Sequence, residues 1–334
     1  MRYSARVPRR RSGRIAVGLV VAALALSACT AGSTTPSATT ATSTTSTTST
    51  SVPPTPPATT AAPTTVTPPL PELPGGGRTI FPTYRLVGFS GGPGSIALGR
   101  LTGDLDAAAV QIADQAAGYA SARPVLPVFE LIATVAHPFP TAEGDYSGRS
   151  DDAVIQEYLD AARRAGALLL LNIQPGRADF LPEVRAYEKW LREPDVGVAL
   201  DPEWAVSPAG IPGEEYGQTT GAELDAVSTY LAQLVAEGNL PEKVMVYHQV
   251  ASQVVVDEQL LLPHPGVVPI KSVDGIGGQA EKENTWDRLM PAKPLHVHAG
   301  FKLFYTEDLR TGGLLMTPEQ VLALVPLPEY VLYE

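Results

Sequence analysis

Between residues 84 and 334 the chain alternates eight apolar, strand-like runs with amphipathic, helix-like runs, and it ends on the eighth strand-like run. Such alternation predicts parallel strands joined by crossover helices. Eight of them in roughly 250 residues is the size and count of a closed barrel. The expected fold class is α/β, a (β/α)8 TIM-type barrel. The strands are expected at 85–90, 125–134, 167–174, 197–200, 244–249, 268–273, 300–304 and 330–333. Runs such as Ala167-Leu168-Leu169-Leu170-Leu171 are continuously apolar, as parallel strands covered on both faces are.

The helical signals lie between these runs. Helices are expected over 105–120, and over 151–165 with Ser150 as N-cap. After Asp179, Phe180, Val184, Tyr187 and Leu191 line one helical face, and Leu224, Val227, Leu231 and Leu234 line another before a stop at Gly238. A short helix fits 282–289. Thr317-Pro318-Glu319-Gln320 reads as a capping box with proline at the first helical position. Residues 254–262 carry only a faint helical pattern, and little stands between Tyr305 and Met316. An open doubly wound sheet would need a phosphate-binding loop after its first strand. Gly88-Phe89-Ser90-Gly91-Gly92-Pro93-Gly94 is glycine-rich, but its spacing does not match, and Pro93 lacks an amide to offer phosphate. No cofactor is expected.

Residues 1–28 read as an export signal. Arg2, Arg6, Arg9, Arg10, Arg11 and Arg14 precede an apolar stretch, 15–26, that is short for a membrane span. Leu26-Ser27-Ala28-Cys29 then reads as a lipobox, with Cys29 lipidated and anchoring the chain to the outer face of the cell membrane. Cys29 is the only cysteine, so no internal disulfide is available and the barrel must rely on burial and hydrogen bonds. Residues 29–77 are rich in Thr, Ser and Pro with few large apolar side chains, the composition of a disordered tether. The barrel domain is expected to span 78–334.

The full chain carries 24 basic and 35 acidic residues, a net charge of −11. The six signal arginines are among the basic ones, so the mature chain is more acidic still. That field repels phosphate backbones and disfavours nucleic acid as a partner. It also leaves membrane attachment to the lipid, for which a single acyl chain is marginal.

In a barrel, polar residues that end a strand and share parity with its interior face the mouth. Ala199, Asp201 and Glu203 share one parity. Two carboxylates so spaced lie about 6–7 Å apart at Cα, where one raises the pKa of the other and keeps an acid protonated at neutral pH. Trp204 follows as a candidate stacking surface for a sugar ring. The plainer alternative makes Asp201 a turn cap before Pro202 and leaves Glu203 solvated. Glu130 and Lys302 each interrupt an apolar run and need a partner or a mouth to face; an ion pair between them is one solution. Asn172 and Gln174 end the third strand with shared parity. His248 and Gln249 end the fifth, and one of the two must face inward. Asp274 ends the sixth, and Tyr305 follows the seventh. His296-Val297-His298 precedes the seventh strand and belongs to the opposite rim, so no metal centre is expected at the mouth.

Four blocks carry a resemblance: Asn172-Ile173-Gln174-Pro175-Gly176-Arg177-Ala178-Asp179-Phe180-Leu181, Val198-Ala199-Leu200-Asp201-Pro202-Glu203-Trp204, Leu240-Pro241-Glu242-Lys243, and Gly300-Phe301-Lys302-Leu303-Phe304-Tyr305. Together they resemble a family of exported actinobacterial lipoproteins with a TIM-type barrel and no assigned activity. The resemblance implies the fold and the cell-surface address. More distantly, the Asp201-Pro202-Glu203 pattern is similar to the catalytic motif of some polysaccharide- and peptidoglycan-cleaving barrels. There the Glu is the acid and the Asp assists it. Another glycosidase group carries its nucleophile on the seventh strand, where this chain has Lys302.

The expected function is a lipid-anchored, glycoside-hydrolase-like barrel acting on a cell-envelope or environmental glycan. Glu203 is the expected acid, tuned by Asp201, with Asp274 or Glu130 as second carboxylate. Asn172, Gln174, Trp204, His248, Gln249, Lys302 and Tyr305 are the expected ligand-binding residues. The alternative is a lipoprotein that binds a glycan or small polar ligand at the same mouth without cleaving it.

Overall fold

The computed structural model describes residues 69–142, 144–310 and 313–334. The expected export signal, the lipidation site at Cys29 and the tether up to residue 68 lie outside the described residues.

Eight parallel strands close into a barrel. They are β1 (Arg85–Gly91), β2 (Val125–Ala136), β3 (Leu168–Ile173), β4 (Val196–Leu200), β5 (Lys243–Gln249), β6 (Val267–Val273), β7 (His298–Leu303) and β8 (Tyr330–Tyr333). Each pairs with the next, and β8 returns to β1 with Leu86 opposite Tyr330 and Phe89 opposite Tyr333. All eight lie where the apolar runs predict them, with ends shifted by one or two residues.

Alternation sorts the strand residues into two cores. Leu86, Val128, Leu170, Ala199, Val246, Ile270 and Leu332 fill the barrel. Val87, Phe89, Leu169, Leu171, Val198, Met245, Phe301 and Tyr333 pack outward under the helices. The interior is tight: a Cβ at Gly88, between Leu86 and Ser90, would lie 1.9 Å from the Val128 carbonyl oxygen.

The helices are α1 (Leu105–Ala117), α2 (Asp152–Arg164), α3 (Phe180–Ala186), α4 (Glu188–Leu191), α5 (Gly221–Gly238), α6 (Gln279–Leu289) and α7 (Pro318–Leu322). Several differ from expectation for local reasons. At the head of α2 the N-cap position falls to Asp151, because the Ser150 amide is still bonded to the Ala133 carbonyl at the end of β2. The single helix expected after Asp179 breaks into α3 and α4 at Tyr187, whose hydroxyl is held by Thr134 and Ala133 of β2. The crossover from β5 to β6 has no α-helix. Val255–Val256 there pairs with Thr219–Thr220, and one 3-10 turn, Glu258–Leu260, follows. The capping box expected at Thr317 forms with Gln320, and a second, unforeseen one joins Thr220 to Glu223.

The compact unit begins at Leu70, earlier than the boundary expected at Arg78. Leu73, Ile80 and Tyr84 join the barrel interior and plug the end where the strands start. Burial of a side chain such as Leu73, 3% exposed, is worth about 1.5–3 kcal/mol. Hydrogen bonds fix the plug. The Tyr84 hydroxyl donates to the Gly75 carbonyl at 2.6 Å. The Arg78 guanidinium donates to the carbonyls of Pro71, Asn239 and Leu240. The composition that suggested a tether therefore extends into residues that the barrel floor orders.

Candidate active site

Parity that puts Leu86, Val128, Leu170, Val246 and Ile270 inside the barrel carries on to the strand ends. It delivers Ser90 from β1, Glu130 from β2, Asn172 from β3, His248 from β5, Ser272 from β6 and Lys302 from β7. Asp201, Asp274 and Glu334 follow from the residues just past β4, β6 and β8. Ser90, Glu130, Asn172, Asp201, His248, Ser272, Asp274 and Lys302 are all buried.

His248 is the hub. Its Nδ1 lies 2.8 Å from Asp274 Oδ2 and its Nε2 lies 3.1 Å from Glu130 Oε1. Both partners are carboxylates that only accept, so the ring donates from both nitrogens and is an imidazolium. Burial works against that charge, but Asp274, Glu130 and Asp201 outweigh it and hold the pKa well above the ordinary histidine value. Asp274 also accepts from the Ser272 hydroxyl at 2.8 Å. Burial pushes its carboxyl up, and His248 and Lys302 more than reverse this, so Asp274 is ionised.

Glu130 is locked. Oε1 accepts from Asn172 Nδ2 at 2.9 Å as well as from His248, and Oε2 accepts from the Tyr330 hydroxyl. Its pKa is lowered: burial opposes ionisation, and His248, Lys302 and Tyr330 prevail. The expected Glu130–Lys302 ion pair does not form. Strands β1 and β8 stand between β2 and β7 in the ring. Lys302 Nζ instead lies 2.8 Å from Glu334 Oε2 and 3.6 Å from Asp274 Oδ2. Ser90 donates to the same Glu334 oxygen at 3.0 Å.

Among the described residues, Asp201 and Glu203 have no cationic partner within salt-bridge distance. Asp201, 4% exposed, accepts from Gln174 Nε2 at 3.2 Å. Burial raises its pKa, and the charges of Asp274 and Glu130 add to the effect against His248 and Lys302. Glu203 does not sit on an extended strand end, as its i, i+2 spacing predicted. It lies on a 3-10 turn, Pro202–Trp204, with proline at its start. Its carboxyl still belongs to the cluster: burial first, then the charges of Asp201 and Asp274, push its pKa to about 8. Its Oε2 is buried with no hydrogen-bond partner. The buried Asn172 Oδ1 is orphaned in the same way. Trp204 is half-buried on the Glu203 turn. Tyr216 is an aromatic neighbour that strand patterning could not reveal. It stands exposed in the loop after β4, and its pKa is raised by burial and by the Glu203 charge.

Two expected ligand residues face elsewhere. Gln249 has outward parity and donates to the carbonyls of Ala251 and Val255 in the helix layer. Tyr305 continues the outward parity of Phe301 and Leu303. Its ring stacks on Tyr333, the Arg100 guanidinium covers it at 3.5 Å, and its hydroxyl donates to Gln115. It lines a groove of about 390 Å³ between α1 and α7 with Phe89, Gln111 and Pro318. Ser90, Ser272, Tyr330 and Glu334 are mouth residues that the sequence reading passed over. Parity alone could have found Glu334, which follows Tyr330 and Leu332 on the inward face.

The atoms of Asp201, His248 and Asp274 lie within 4.8 Å of one another, close enough to share a cation. The imidazole has no lone pair to give, however, because both nitrogens are donating. A metal would have to displace a proton from a ring that two carboxylates keep charged. His298 begins β7 at the opposite rim, where its Nδ1 pairs with Glu329 at 2.5 Å.

The arrangement pushes carboxyl groups of one cluster in opposite directions, Glu203 upward to about 8 and Asp274 downward. Such a pair can give a proton to one atom and take one from, or bond to, another. The chain matches no protein-family model and no curated protein.

Proposed function

We propose that this protein is a glycoside-hydrolase-like barrel that cleaves a cell-envelope or environmental glycan by carboxylate acid/base chemistry, from a lipid-anchored position at the cell surface. One observation carries the catalytic reading. Glu203, with its pKa at about 8, faces a cluster in which Asp274 stays ionised between His248 and Lys302. An acid poised near the working pH beside a permanent carboxylate is the requirement for glycosidic cleavage. Glu203 gives its proton to the glycosidic oxygen as the C–O bond breaks. Asp274 serves the anomeric carbon, through a water or directly, and the anomeric configuration of the product tells which. Asp201 raises the Glu203 pKa. Glu130 accepts from His248, Asn172 and Tyr330 and positions the His248 ring. Trp204 and Tyr216 supply aromatic surface for a sugar ring.

Saturation of Glu130 and Asp274 by hydrogen bonds favours the second reading, a barrel that binds glycan without cutting it. One experiment separates the two: incubation of the protein and of Glu203→Gln with a panel of polysaccharides and peptidoglycan, reading released sugar and bound sugar together. Release that Glu203→Gln abolishes supports cleavage. Binding without release supports the second reading, and release indifferent to Glu203→Gln removes the proposed acid.

The surface address rests on the Leu26-Ser27-Ala28-Cys29 pattern. Cys29→Ala should move the protein from the membrane fraction to the soluble one and abolish its labelling by a fatty-acid probe.

A further inference from the structure

The groove that Tyr305 lines lies outside the mouth, between α1 and α7. Its volume of about 390 Å³ falls within the range of small-molecule pockets, roughly 300–1,000 Å³. One face of α1 supplies a wall: Gln111, Asp114, Gln115 and Gly118 recur at i, i+3, i+4 and i+7. Gly118 closes one end, because a Cβ there would come 2.6 Å from Pro318 Cγ at the start of α7.

The wall that carries Tyr305 is braced. Its ring stacks on that of the buried Tyr333, centroids 5.4 Å apart. Gln115 spends its amide on the two phenols, donating to the Tyr333 hydroxyl at 2.9 Å and accepting from Tyr305 at 3.2 Å. The Arg100 guanidinium lies over the Tyr305 ring at 3.5 Å. That stacking fixes the plane of the cation and leaves its N–H edge to donate. Among the described residues, neither the Arg100 nor the Asp114 side chain has a hydrogen-bond or ion-pair partner. An unspent cation and an unspent anion thus line one space without bonding to each other.

The two charges select the ligand. A bare carboxylate would meet Asp114 as well as Arg100, and a bare amine would meet Arg100 as well as Asp114. A molecule with a carboxylate and an ammonium on one carbon satisfies both. Being neutral overall, it is not repelled by a chain of net charge −11. Phe89 and Pro318 add apolar surface to the same groove.

We propose that this groove is a second binding site, independent of the glycan reading, for a free α-amino acid with an apolar or aromatic side chain. The carboxylate takes the Arg100 edge, the ammonium takes Asp114, and the side chain lies against Phe89 and Pro318.

The test uses the full chain and calorimetry at pH 6 with four probes: L-phenylalanine, L-phenylalaninamide, N-acetyl-L-phenylalanine and glycine. The first carries every recognised group, and each of the others lacks one. L-Phenylalanine should bind at least about tenfold tighter than any of the other three, the margin of one charge-assisted contact or one buried side chain. Arg100→Gln should weaken it by a similar factor. Asp114→Asn should bind N-acetyl-L-phenylalanine more tightly than the unaltered chain does, because the carboxylate that repels it is gone. A gain of that kind cannot come from a folding defect. Three results would each overturn the proposal: no binding of L-phenylalanine up to about 10 mM, equal binding of any of the other probes, and undiminished binding by Arg100→Gln.

Discussion

Lys302 Nζ sits 2.8 Å from Glu334 Oε2, and the two residues come from adjacent strands of the ring, β7 and the end of β8. The same ammonium reaches toward Asp274 on its other side. One buried cation thus serves two carboxylates. Lys302→Met would leave Glu334 without a cation and Asp274 with His248 alone, and loss of one partner from a buried pair costs about 3–5 kcal/mol. Urea unfolding should show that loss, with much of it recovered in the Lys302→Met/Glu334→Met double variant. A loss below about 1 kcal/mol for the single variant would mean the pair is solvated.

The Glu203 carboxyl gives the site its pH dependence. Its folded pKa of about 8 lies above the unfolded value of about 4.3. The folded chain therefore holds more protons than the unfolded chain between those values, and this group makes stability fall as pH rises across that window. Cleavage should fall as pH passes about 8, where the acid loses its proton. Glu203→Gln should flatten the stability slope. An alkaline limb that stays at the same pH after substitution of Asp201 by Asn would show that Asp201 does not raise the Glu203 pKa.

His248 has the opposite origin and the same sign. Its folded pKa is raised above the unfolded value, so its contribution is complete below about pH 6.5 and is lost as pH rises through the folded pKa. Asp274 and Glu130 have lowered folded pKa values. Their contribution is present above about pH 4 and is lost as acid protonates them. Nitrogen NMR of the His248 ring at pH 7 should show both nitrogens protonated. A neutral tautomer would undo the ion network proposed around it.

At the floor, Leu73→Ala should cost about 2–5 kcal/mol, the range for truncating a buried leucine. A chain started at Arg78 should melt below one started at Leu70. Equal melting temperatures would mean that the plug rests on the barrel without supporting it.

Tyr305 and Gln249 separate the mouth from its surroundings. Tyr305→Leu and Gln249→Ala should leave glycan affinity within about twofold, because their side chains point into the helix layer. A tenfold loss for either would place the ligand outside the mouth.

Strand positions were readable because buried parallel strands are continuous apolar runs, a signal that survives without knowledge of their neighbours. The inward placement of Glu130, Asn172, His248 and Lys302 was readable from alternation. That rule also assigns Tyr305 to the outside, since Phe301 and Leu303 share its parity, and it points to Glu334 through Tyr330. Partnerships were not readable. Whether Lys302 meets Glu130 or Glu334 depends on which strands flank it around the ring, and a linear pattern does not state the reach of a lysine across them. The break at Tyr187 and the missing fifth crossover helix are likewise tertiary effects: a phenol drawn to β2, and a two-residue strand pairing with Thr219–Thr220.

The floor plug has a practical corollary. Leu73, Ile80 and Tyr84 enter the cylinder at the end remote from Asp201 and Glu203, so a label coupled at Leu70 attaches away from the mouth. Glu334 lies on the doorstep itself, bonded to Lys302 and Ser90. Residues appended there would crowd the mouth and unsettle the lysine, so an affinity handle belongs between Cys29 and Leu70.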